Sequence, residues 1–134
     1  MKLYQITCIG TSLLFVFLFI QLFMTPVSFV ENLGLQSSVA TSVLCRRASI
    51  FMLGLSVLLF FARKLPHSSI RQSICLSTGI TMTGLACLSS FELLRGTVNN
   101  SMWTAIILET LSATLFWITF FRNTKKQTDQ TQIS

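Results

Sequence analysis

Charge is what this chain has least of. Ten Lys and Arg and four Asp and Glu stand among 134 residues, so charged residues make up 10% of the chain. A soluble domain carries roughly a quarter. The shortage excludes an ordinary soluble domain. With 51% hydrophobic residues and twelve Phe, it also excludes disorder, which needs low hydrophobicity and high charge. Histidine occurs once, at His67, so haem held axially between helices has no candidate ligand. The four cysteines, Cys8, Cys45, Cys75 and Cys87, form no CxxC pair. Neither a zinc site nor a disulfide framework is indicated, and a free Cys behaves as a small apolar residue. No Walker loop, dinucleotide fingerprint, HExxH or nucleophile elbow is present. The sequence therefore names no catalytic residue, no metal ligand and no cofactor, and it reads as non-enzymatic.

What is present is long apolar runs. A transmembrane helix needs roughly 20 mostly apolar residues, and four segments qualify, at about 3–24, 37–62, 72–94 and 102–121. Lipid offers no partner to backbone polar groups, so each is expected to be a helix. The fold class is all-α: an integral membrane four-helix bundle occupying 1–122, followed by a short polar tail at 123–134 that is expected to be mobile. The first run follows Met1-Lys2 and invites comparison with a signal peptide. Its length of about 22 residues exceeds the usual apolar core of about 7–15, so it is read as an uncleaved span.

Orientation follows from the Lys/Arg count. Lys2, Arg63, Lys64, Arg71, Arg122, Lys125 and Lys126 fall on one side, and Arg46, Arg47 and Arg95 on the other. Both termini are expected to be cytoplasmic. The net charge of +6 expresses this asymmetry. No basic patch is interleaved with aromatics as nucleic-acid binding would require, so no nucleic acid is expected as a partner. His67 is read as a solvated loop residue. Asn99-Asn100-Ser101 matches the glycosylation pattern but abuts the fourth span too closely for modification. Pro26, Phe29, Glu31 and Gly34 mark 25–36 as a short outer loop with an interfacial turn.

Helical spacing gives each span a polar or small stripe: Thr7, Thr11 and Gln21; Ser42, Arg46, Ser49 and Ser56; Thr78, Thr81, Ser89 and Glu92; Ala105, Glu109, Ser112 and Thr119. Small and hydroxyl residues let membrane helices approach and hydrogen-bond. The stripes are expected to face inward and the Phe residues outward.

Ionisable residues within spans are expensive, at about 2.5–3.5 kcal/mol each on insertion scales. At about 1.5 Å per residue, Arg46 lies about 24 Å, Glu109 about 18 Å and Glu92 about 30 Å from the cytoplasmic end. All three fall in the outer half of the bilayer. Arg46, Arg47, Glu92 and Glu109, with Gln21 contributing, are therefore the candidate site, a polar pocket open to the outer side. It would take an anionic small molecule, a lipid headgroup or a proton. The more economical reading is a salt bridge that fixes helix register, with Arg47 and Glu109 as its partners.

Pro26 and Phe29, then Gly34, then Arg47 with Gly54, and finally Gly96-Thr97-Val98-Asn99 with Trp103 form an order of features that resembles a group of small bacterial membrane proteins of unknown function, similar in layout to DoxX-like proteins. The resemblance implies a four-helix protein of the inner membrane. DoxX-like members have been linked with quinone-dependent oxidation, and no matching redox motif stands in this chain. Two functional classes fit the residues. The first is a non-enzymatic membrane component or subunit, surrounded by lipid and packing against another membrane protein or itself. The second is a protein that binds or moves a small molecule, lipid or ion through the Arg/Glu pocket.

Overall fold

The structure, a computed structural model, describes residues 2–66 and 68–133, with the side chains of residue 123 and residues 125–133 outside the description. His67, expected in a solvated loop, and Ser134 lie outside the described residues. Among those described the chain is all-α: α1 (Lys2–Met24), α2 (Pro26–Asn32), α3 (Val39–Ala62), α4 (Ser69–Leu94) and α5 (Met102–Ile133). Lys2–Met24, Val39–Ala62, Ser69–Leu94 and Met102–Arg122 are each long and apolar enough to cross a membrane. The protein is a multi-pass membrane four-helix bundle with one short extra helix.

Local chemistry sets the boundaries. Pro26 ends α1 and opens α2 from its first turn, where its missing N–H is no loss. Gly34, at φ 82°, takes the left-handed turn that stops α2 and that other residues avoid. Ser38 caps α3 by accepting the Thr41 N–H at 3.1 Å, and Ser68 caps α4 by accepting the Arg71 N–H at 3.4 Å. Each cap supplies an acceptor to an N–H that has none within its own helix. The Ser68 cap starts α4 three residues before the 72 expected from hydropathy. At the far end, the α5 backbone continues helical through the polar tail to Ile133. Lys and Gln are good helix formers, and neither Pro nor Gly interrupts the segment.

Two helix pairs make the bundle. α1 packs along α3, α4 along α5, and α1 touches α5 more lightly. The first pair is bonded through its centre: the Ser12 hydroxyl reaches the Ser56 carbonyl at 2.9 Å and the Ser56 hydroxyl reaches the Ser12 carbonyl at 3.0 Å. The shared core runs through Tyr4, Cys8, Phe15, Leu59, Cys75, Met82, Ala113 and Phe116. Phe17, Phe23, Phe51, Phe60, Phe61, Phe91 and Phe121 are exposed as expected, but Phe15 and Phe116 are almost wholly enclosed and depart from the expectation that Phe faces outward. Of the stripe residues, Thr7, Thr11, Ser49, Ser56, Ser89 and Thr119 are buried, whereas Thr81 and Arg46, expected to face inward, are exposed. The buried ones bring the backbones close, and the large rings fill the space that remains.

Candidate functional site: an apolar chamber beneath α2

The two pairs do not close against each other everywhere. Toward the α2 end they part around a chamber of about 360 Å³, a volume in the range of ordinary ligand sites. Leu14, Leu18 and Leu22 of α1 form one wall, Leu85 and Ser89 of α4 another, and Ala105, Leu108 and Glu109 of α5 a third. Met52 is the contribution of α3. Phe15 and Met82, 2% and 1% exposed, form the floor.

α2 is the roof. Phe29 and Leu33 cover the chamber from above, and Asn99 in the α4–α5 turn fastens them. The Asn99 backbone N–H donates to the Leu33 carbonyl at 2.9 Å, and its side-chain amide donates to the Asn32 carbonyl at 2.7 Å. The opening is lateral. Phe17 on α1 and Leu108 on α5 line the chamber yet remain 56% and 39% exposed. The lining thus reaches the lipid-facing surface at α1 and α5, and the exposed Ser101 and Thr104 carry it to the α2 end of the bundle.

Glu109 is the one charged residue among those lining this chamber. It stands seven residues into α5, roughly 10 Å below the start of the helix, and is half-buried. The buried Ser89 hydroxyl donates to Glu109 Oε2 at 3.0 Å. A carboxylate accepts at about four lone-pair positions, so this bond leaves acceptor capacity turned to an apolar space.

The remaining candidate residues are spread around the same end of the bundle. Arg46 borders a separate hollow with Ser37, Ser38, Ser42 and Val27. Arg47 is exposed on α3. Glu92 is half-buried near the end of α4, where its backbone carbonyl accepts the Thr97 N–H at 3.1 Å. The Gln21 side chain accepts from the Thr25 hydroxyl at 3.3 Å and belongs to the α1–α2 turn. Glu109 takes its hydrogen bond from Ser89, and among the described residues neither arginine forms an ion pair with it. The chamber is thus apolar with one acid, where charge placement alone suggested a polar pocket of mixed sign.

Sequence reasoning missed Arg71. Hydropathy leaves Arg71 just outside the span expected at 72–94, but the early start of α4 puts it on the first turn. There it is 2% exposed, with its guanidinium 4.0 Å from the centre of the Tyr4 ring. The consecutive serines at 68 and 69, a cap signature, were the available signal. No family model, curated protein or solved structure matches the chain.

Proposed function

We propose that this multi-pass membrane protein is non-enzymatic and binds a hydrophobic small molecule or lipid that reaches the chamber from the bilayer. The observation carrying the reading is the chamber's form: roofed by α2, floored by Phe15 and Met82, and open sideways at Phe17 and Leu108. A ligand using that opening is already dissolved in the membrane. The Lys/Arg asymmetry supports both termini being cytoplasmic, so that the chamber lies in the outer half; the inner membrane is what the DoxX-like resemblance implies.

The test is native mass spectrometry of the protein released from its membranes, compared with Ala105→Trp, which fills the chamber from α5. A hydrophobic adduct on the wild type that the variant loses is expected. An adduct retained equally by a folded Ala105→Trp protein would overturn the reading.

A second reading, a subunit that pairs with another membrane protein or a second copy, is favoured by the open groove between α4 and α5. Ala86, Cys87, Ser90, Thr110 and Ala113 border it. Cys87 is exposed there. Oxidative crosslinking in membranes would yield a dimer lost in Cys87→Ser if copies meet along this groove, and no such dimer if they do not.

A further inference from the structure

We infer that the chamber selects a lipophilic amine, a protonated nitrogen carried on a flexible hydrocarbon chain. The inference rests on the ligand-binding reading above and deepens it by naming the chemical class.

The wall supplies apolar surface over most of its extent, which favours a hydrocarbon tail without choosing among head groups. The choice falls to Glu109. Its carboxylate holds one hydrogen bond, from Ser89 at 3.0 Å, and the arginines on α3 stand apart from the chamber. A charge of one sign in an apolar space interacts strongly with any charge brought beside it, because the surrounding dielectric is low. A carboxylate or phosphate head would meet repulsion. An alcohol would donate one hydrogen bond to the carboxylate and bring no opposite charge. An ammonium group would supply both the opposite charge and several donors, adding direct charge attraction in a low dielectric to the hydrogen bond itself. The lateral opening lets the tail remain in hydrocarbon while the head travels to Glu109.

The experiment uses the full chain in phosphatidylcholine nanodiscs, with radiolabelled dodecylamine as probe and protein-free nanodiscs as the blank for partitioning. Unlabelled dodecylamine, dodecanol and dodecanoate compete. Saturable amine binding is expected, with dodecanol weaker by about tenfold to a hundredfold, the range for a hydrogen bond to a charged group. Dodecanoate is expected to be weaker still. Glu109→Gln should bring the amine down to the level of the alcohol and weaken the alcohol far less. Equal binding of amine and alcohol, or a preference that survives Glu109→Gln, would overturn the amine inference and leave the ligand-binding reading standing. Absence of saturable binding by either compound would overturn both. If Glu109→Gln fails to fold, the wild-type ranking of the three head groups decides alone.

Discussion

The guanidinium of Arg71 sits over the ring of Tyr4, 4.0 Å from its centre, while the Tyr4 hydroxyl donates to the carbonyl of Ala62 at 3.0 Å. One tyrosine near the start of α1 thereby joins the end of α3 to the first turn of α4. All of this lies at the opposite end of the bundle from the chamber. Tyr4→Phe keeps the ring and loses the hydroxyl bond, and should cost about 1 kcal/mol. Tyr4→Leu also loses the aromatic face and should cost about 0.5–2 kcal/mol more. Thermal unfolding in detergent micelles measures both, and identical melting of the two variants would show that the ring–cation contact contributes nothing.

Ser12 and Ser56 bond reciprocally across α1 and α3. Interhelical hydrogen bonds in membranes average only about 0.6 kcal/mol, with a maximum near 1.7. A double-mutant cycle with Ser12→Ala and Ser56→Ala should therefore give a coupling between about 0.6 and 1.7 kcal/mol. Additive single effects would mean that the pair merely permits close packing.

The roof depends on Asn99 and Gly34 together. A side chain at Gly34 would place its Cβ 3.2 Å from that of Asn99, at a positive φ of 82°. Gly34→Ala should cost about 1–2 kcal/mol from backbone strain alone. Asn99→Ala removes the side-chain bond to Asn32 and should raise hydrogen exchange in 29–35. Unchanged exchange in both variants would show that α2 holds its place without the turn beneath it.

α4 and α5 meet at Gly79, where an added Cβ would stand 3.5 Å from the Trp117 ring, an ordinary contact distance. Gly79→Ala should be accepted within about 1 kcal/mol, the scale of the helix-propensity difference. Gly79→Leu should push Trp117 aside and weaken its bond to the Thr83 hydroxyl, now 3.1 Å. A blue-shifted tryptophan emission in the Leu variant alone, from an indole that has lost its hydroxyl partner inside an apolar span, is the expected signature. Equal spectra for both would place the helix contact elsewhere.

Reporter fusions at Ser69 and Ser134 should both report the cytoplasm if the Lys/Arg asymmetry sets orientation. A Ser134 fusion reporting the exterior would reverse the sides assigned to the chamber and to Arg71.

The four spans were legible because length and apolarity are properties of a segment alone. Pro26 and Gly34 were legible as chain breaks for the same local reasons. The segment 25–36, expected as a loop, nevertheless holds the helix α2, and the stripes turn inward only in part, since Thr81 and Arg46 are exposed. What escaped is relational. Glu109 could be singled out as an intramembrane acid, but Ser89 as its partner depends on how α4 and α5 face each other. Depth along the axis suggested the arginines instead, and depth carries no information about which way a side chain turns around the helix. Arg71 was misplaced by three residues of helix start, a distance within which a capping serine outweighs hydropathy. Phe15 and Phe116 escaped because a stripe of small residues leaves gaps, and only the assembled bundle shows which rings fill them.

The closed floor of the chamber has a consequence for ligand length. Met82 lies seven residues below Ser89 on α4, roughly 10 Å along the helix. A head group bound at Glu109 has that much depth beneath it before the tail meets Phe15 and Met82. The chamber then acts as a ruler: short tails end inside it, and longer ones must bend out between Phe17 and Leu108 and finish among the acyl chains of the surrounding lipid.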